Sequence, residues 1–149
     1  MKHITGKNSK TTLTNIKEGD TQPNAVDLRL DKVYDINGFL FEISNQHKKH
    51  RQTQEKIPDK DGYFILPPGS YEIVFENIIH VGDGEAGWVI TRSTLNRNGL
   101  YITSGLYDSG YHGVMAGVLH VTCGTARIKK GTRIGQFLRS EEHTSELQS

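Results

Sequence analysis

The clearest alternation of apolar and polar positions lies at Val26, Leu28 and Leu30, which interleave with Asp27, Arg29 and Asp31. A period of two puts one set of side chains on one face, which predicts a half-buried strand. Val33-Tyr34-Asp35-Ile36 extends it and meets Phe39-Leu40-Phe41-Glu42-Ile43 across Asn37-Gly38. Both intervening residues tolerate positive φ, so a tight hairpin is predicted there. Residues 1–22 carry no sustained period, and residues 44–62 are polar and charged. They are read as a loosely held N-terminal segment and a solvated loop. Strand signals return at Tyr63-Phe64-Ile65-Leu66, turn at Pro67-Pro68-Gly69, and resume from Tyr71 to Val81. One short helix is expected from Ser93 to Asn98, capped by Ser93 or Thr94 and ended by Gly99 in the left-handed region. Glycines then divide the chain into expected strands at 100–107, 113–123 and 133–138. Short strands, frequent glycines and a single helical turn predict an all-β sandwich or barrel.

Composition narrows the class. At 149 residues the chain is expected to form one domain, and its mean hydropathy of −0.55 leaves room for solvated loops. No apolar run approaches the ~20 residues that span a bilayer, and the N-terminus lacks the apolar block of a signal peptide. Cys123 is the only cysteine, so no intrachain disulfide forms, and a reducing, cytoplasmic setting fits. It falls in an apparent strand and is expected to pack rather than act as a nucleophile. A net charge of +1 gives no general drive toward nucleic acid or an anionic membrane. Gln46-His47-Lys48-Lys49-His50-Arg51 is basic, but no aromatic residues are interleaved for base stacking, and a solvated loop is the preferred reading. The last eleven residues, 139–149, resemble the translation of a sequencing-library adapter. They are set apart from the domain at 1–138 and from the fold reasoning, with the native end expected beyond Leu138 and a virus or bacterium as a suitable source.

Several chemistries are excluded by pattern. One cysteine rules out the Pro-Cys-x-x-Cys element of zinc deaminases, and no His-Glu-x-x-His, P-loop or dinucleotide fingerprint occurs. Three segments remain. Trp88 to Leu95 runs a strand into a helix start with Arg92, Ser93 and Thr94 at the junction, a cradle suited to phosphate or a simple helix cap. Gly105 to Gly113 presents Asp108 and Tyr111 in a glycine-rich turn. Asp108 there could deprotonate a water, or hydrogen-bond its own backbone. Lys130 to Leu138 leads into a strand with Gln136 as a polar candidate among apolar neighbours.

In this order and spacing the segments resemble the deoxyuridine triphosphatase and deoxycytidine triphosphate deaminase superfamily. Asn24-Ala25-Val26-Asp27-Leu28-Arg29-Leu30 is similar to its first motif and Arg92-Ser93-Thr94-Leu95 to its second. Gly105 to Gly113 is similar to the third, and Gly131-Thr132-Arg133-Ile134-Gly135-Gln136 to the fourth. The resemblance covers about residues 22–138. It implies a distorted β jelly roll, a homotrimer with shared active sites, and Mg²⁺-dependent hydrolysis of a deoxynucleoside triphosphate to monophosphate and pyrophosphate. It implies that Asp108 activates the attacking water and that Tyr111 stacks on the deoxyribose. Arg92, Ser93, Thr94 and Gln136 would hold phosphate oxygens, and Asp27 would reach the magnesium waters or stabilise the site. Such positioning and charge neutralisation carry most of the catalysis of phosphoryl transfer.

The deaminase branch carries a glutamate seven residues past the third-motif aromatic, a position held here by Val118. Valine shuttles no proton, which with Tyr111 favours dUTP hydrolysis over dCTP deamination or a bifunctional enzyme. Two features depart from the hydrolase pattern. Ile102 stands where an asparagine usually reads uracil, which leaves base recognition to backbone groups or points to another base. A glycine-rich fifth motif is absent, explained by truncation if the tail is adapter sequence, in which case the chain as given is expected to be weak or inactive. If the tail is native, a non-catalytic nucleotide-binding or regulatory protein is the alternative.

Overall fold

The structure is a computed structural model and describes residues 2–3 and 9–141. As the strand spacing predicts, it is almost entirely β, with one short helix. The spine is the pair β3 (Val26–Ile36) and β8 (Gly69–His80), antiparallel through Leu30↔Phe75 to Asp35↔Tyr71. β11 (His112–Val121) lies along the other side of β8, and β10 (Leu100–Thr103) along β11. On the opposite flank β13 (Arg133–Glu141) joins β3 to β9 (Glu85–Thr91), giving the order β8-β3-β13-β9. β9 and β10 then approach each other. Thr91 Oγ1 accepts from Ile102 N at 2.7 Å, Ser104 Oγ accepts from Val89 N at 3.1 Å, and Gly87 bridges to Tyr107. The sheet thereby closes almost into a barrel around Leu28, Leu30, Ile73, Phe75, Met115, Leu119, Ile134 and Phe137, all 2 % exposed or less.

The alternation at 26–30 reads correctly for Leu28 and Leu30, but β3 is buried on both faces at its start, and Asp27 is as covered as its apolar neighbours. The expected hairpin at Asn37-Gly38 does not form. Asn37 Oδ1 accepts from Phe39 N at 3.2 Å and the chain leaves the sheet; β3 pairs instead with β6 (Thr53–Glu55). Between them β4 (Glu42–Ile43) and β5 (Lys48–Lys49) make a small exposed ribbon. The N-terminal segment is more firmly held than its pattern suggests. β1 (Lys2–His3) pairs with β2 (Thr12–Leu13), which adds to the edge of β8 and buries Leu13 fully. β7 (Tyr63–Leu66) pairs with β12 (Ala126–Lys129), a strand the sequence pattern did not reveal.

The helix α1 (Ser93–Arg97) starts from Arg92 as N-cap with no side-chain cap, so the hydroxyls of Ser93 and Thr94 do not close it. Gly99 follows its end at φ +79°, as expected. Cys123 corrects the sequence reading: it lies past the end of β11 and is exposed rather than packed. Arg139, Ser140 and Glu141, set aside with the tail, continue β13 and pair with Gly87, Ala86 and Glu85. Residues 142–149 lie outside the described residues.

Candidate functional site

The first, second and fourth segments converge because β3, β9 and β13 are neighbours. Gln136 sits opposite Asp27 on one side and Ile90 on the other. The Asp27 carboxylate, 1 % exposed, is the hub. Its Oδ1 accepts from Gln136 Nε2 at 3.0 Å and faces Arg92 Nε at 3.7 Å. Its Oδ2 accepts from Gln22 Nε2 at 3.1 Å and Arg133 Nη1 at 3.4 Å. A buried carboxylate persists only when paired and hydrogen-bonded, and here two arginines and two amides do both. Arg92 is steadied further by the Arg133 carbonyl at 3.4 Å, and Arg133 by the Gly19 carbonyl at 3.1 Å. About a third of each guanidinium side chain stays open to solvent, 34 % for Arg92 and 35 % for Arg133. Ser93 and Thr94 are exposed beside them. The result is an ordered, solvent-facing pair of cations with donors left for an anion. Arg133 was quoted within a motif but not singled out; its role became visible only when Asp27 and Arg133, 106 residues apart, were brought together.

A second buried pair supports the first. Asp20, 1 % exposed, accepts from Arg29 Nε at 3.0 Å and Nη2 at 2.8 Å, and its carbonyl accepts from Asp27 N at 2.8 Å. Burial pushes the Asp20 carboxyl up, but the Arg29 guanidinium and the Lys17 N–H more than offset it, so its pKa lies below the ordinary value.

Asp108 and Tyr111 lie elsewhere. Their turn is pinned on all sides: Tyr107 and Gly87 exchange two backbone bonds, Gly110 N donates to the Val81 carbonyl, and Val81 N donates to the Tyr111 carbonyl. Ser109 Oγ accepts from Gly84 N at 3.1 Å and donates to the Gly82 carbonyl at 3.3 Å. Gly110 supplies φ +82°, which a side chain would resist. The Tyr111 ring tilts on Tyr107 with centroids 5.6 Å apart, and its hydroxyl donates to the Val114 carbonyl at 2.7 Å. The Asp108 carboxylate takes no part in this. It is exposed, has no side-chain partner among the described residues, and lines a recess of about 290 Å³ with Glu85, Ala86, Ser140 and Glu141. The turn therefore does not depend on it.

That recess is at the Glu85 end of β9, whereas Arg92 follows Thr91 at the other end. At about 3.3 Å per residue the two lie roughly 20 Å apart along the strand. One chain thus holds two separate candidate groups, a cationic cluster and a solvent-facing carboxylate. Ile102 belongs to neither: it is 6 % exposed, packed in the core, and its N–H is already given to Thr91. Among the described residues no three His, Cys, Asp or Glu side chains gather to hold a metal. Both Asp27 oxygens are occupied by protein donors, so the donor set does not fit a protein-built Mg²⁺ cage. No helix of the described residues is long and apolar enough to cross a membrane.

Comparison with known proteins adds the lineage. A deoxyuridine 5'-triphosphate nucleotidohydrolase of Methanocaldococcus jannaschii is 32% identical over 113 residues, 74% of this chain and 72% of that protein. A dUMP-forming dCTP deaminase of Salinispora tropica is 29% identical over 128 residues, 78% of this chain and 64% of that protein. Among solved structures, the 2'-deoxycytidine 5'-triphosphate deaminase of Agrobacterium tumefaciens superposes with a TM-score of 0.68 at 14% identity, over 90% of this chain and 44% of that one. A dUTPase from phage phi11 of S. aureus, described for its coordination of a structural Mg(II) ion, superposes at 0.57 and 14% identity, over 94% and 95%. The chain spans less than half of the Agrobacterium protein. The fold is the dUTPase-like distorted β barrel. With residues 2–141 matching the dCTP deaminase-like family, the chain belongs to the dUTPase and dCTP deaminase superfamily.

Proposed function

We propose that the protein hydrolyses a deoxynucleoside triphosphate, dUTP being the favoured substrate, to the monophosphate and pyrophosphate. The observation that carries the reading is Asp108, a carboxylate without a side-chain partner among the described residues, on a turn fixed by the groups around it. A group free of internal bonds on a rigid support can orient a water and accept its proton. The water oxygen then bonds to the α-phosphorus while the bond to the bridging oxygen breaks, releasing pyrophosphate. Arg92, Arg133, Gln136, Ser93 and Thr94 hold phosphate oxygens, Tyr111 stacks on the sugar, and Asp27 positions Arg92, Arg133 and Gln136 rather than meeting a metal. Mg²⁺ held by the substrate's own phosphates, beside Arg92 and Arg133, would neutralise part of their charge.

The distance between the two groups supports a site shared between copies, the Asp108 turn of one facing the arginines of another. A homotrimer meets this requirement with three equivalent sites. The presence of Val118 rather than an acid favours hydrolysis over deamination. Incubation with dUTP and Mg²⁺ should release pyrophosphate, and Asp108→Asn should abolish that release while nucleotide binding persists. Nucleotide affinity with no turnover in a version that carries an intact glycine-rich fifth motif would support a binding protein instead.

A further inference from the structure

A cavity of about 410 Å³ opens between α1 and the β7-β12 pair, within the roughly 300–1,000 Å³ typical of small-ligand sites. Its floor is apolar: Leu95 of α1, Leu100, Ile128 and the fully buried Ile134. The cavity and the cationic cluster share a wall but face opposite ways. Thr132 and Ile134 line the cavity, whereas Arg133 between them turns to the other side and reaches Asp27. Of the residues assigned to phosphate above, only Thr94 borders it.

The cations around this cavity are not equivalent. Arg127 lies 3.6 Å from the Tyr63 ring centroid and faces Asp59 at 3.6 Å and Asp61 at 4.0 Å, so its charge is already matched. Lys130, next along the chain, faces Asp31 at 3.3 Å. Lys129 lines the cavity and has no acidic partner among the described residues. Its stem lies over Gly62, where an added Cβ would meet Lys129 Cε at 3.7 Å, and its ammonium stands 5.8 Å from the Tyr63 centroid. The Thr94 and Thr132 hydroxyls, also on the lining, make no hydrogen bond among the described residues. An apolar floor thus ends at one unmatched ammonium and two hydroxyl donors. A planar guanidinium stacks on aromatic faces, so Arg127 offers a ligand ring the contact it already makes with Tyr63.

We propose that this cavity binds a small aromatic molecule carrying one carboxylate, its ring against Leu95, Leu100 and Ile128 and its carboxylate on Lys129. Burial of the ring supplies the apolar part of the affinity, and the ammonium supplies a charge-assisted hydrogen bond. One unmatched cation suits one negative charge; a phosphate monoester would bring a second charge with no counterpart. The inference does not use the nucleotide reading, because Asp27, Arg92, Arg133 and Gln136 lie outside the lining, so either can fail without the other.

The test uses 2-naphthoate and its uncharged amide, 2-naphthamide, titrated calorimetrically into the full chain and into K129Q, K129R, A126L and R92A variants. Thermal unfolding of each establishes that it folds. The unmodified chain is expected to bind the carboxylate about tenfold more tightly than the amide. K129Q should erase that preference while leaving affinity for the amide within about twofold, and K129R should restore it; a purely structural role for Lys129 would weaken both probes alike. A126L, which fills part of the cavity, should weaken both probes, and R92A should leave both unchanged. Failure of the folded, unmodified chain to bind either probe overturns the proposal. So does a preference for the carboxylate that persists in K129Q, or affinity for both probes that A126L leaves intact. Loss of carboxylate binding in folded R92A places the probe on the arginine cluster and overturns it as well.

Discussion

Two carboxylates that the sequence presents as similar surface acids have opposite structural roles. Asp20 holds Arg29 with two hydrogen bonds at 1 % exposure, and the Asp108 carboxylate holds no side chain among the described residues. Asp20→Asn should therefore lower stability by about 3 kcal/mol, the low end for breaking a buried ion pair because 22 % of the Arg29 side chain meets water. Chemical denaturation at neutral pH measures this. The pH dependence follows from the direction of the shift. Its folded pKa lies below the unfolded value near 3.8, so the contribution is present above that pH and fades as pH falls through the folded value. Glu85 adds to the same acid limb. Burial raises its pKa, but the Lys10 N–H, the Ser9 and Thr11 hydroxyls and Arg139 outweigh that and set it below 4.5. Stability should thus decline below about pH 4.5, and Asp20→Asn should flatten the decline. The role of Glu85 was not legible in sequence, because Ser9, Lys10 and Thr11 lie 74 to 76 residues away and Arg139 lies far along the chain on the other side, and local pattern carries no trace of them.

At the scale of elements, the reading succeeded where one chain segment determines its own burial. β3, β7, β8 and α1 follow from alternation, apolar runs and a terminal glycine. It failed where pairing is decided by a distant partner. Asn37-Gly38 looks like a hairpin locally, yet β3 finds β6 across a polar excursion; β12 alternates half-buried and exposed positions too weakly to announce itself. The site elements show the same division. The strand-to-helix junction at Arg92 was visible, while its convergence with Asp27 and Gln136 required the β3-β13-β9 order. That order also constrains β9 tightly at Gly87, where an added Cβ would run into the Phe137 ring and the Leu138 carbonyl. Gly87→Ala should cost about 1–3 kcal/mol through overpacking, read as a lowered denaturation midpoint with an unchanged slope.

At the scale of the whole molecule, the proposed function, with roughly 20 Å of strand between the arginine cluster and Asp108, requires activity to be a property of an assembly. Light scattering should give three copies per particle. Arg92→Ala and Asp108→Asn chains, each inactive alone, should recover activity when mixed during refolding. If every site draws its arginine and its aspartate from two different copies at random, an equal mixture restores about a quarter of the unmodified rate. Recovery near zero would place both halves of the site within one chain and refute the shared arrangement.

The isolation of Asp108 has an evolutionary side. Catalytic groups often strain the fold that carries them, so losing one tends to raise stability and losing a structural group to abolish the protein. Asp108 lies outside that exchange: the turn is sustained by Tyr107, Ser109 and Gly110, and Asp108→Asn should leave the melting temperature where it is. One nucleotide change converts an aspartate codon to asparagine. The arginine cluster, the Tyr111 ring and the fold would all survive it, so on the proposed function a lineage can pass from enzyme to nucleotide sensor in a single step that folding does not oppose.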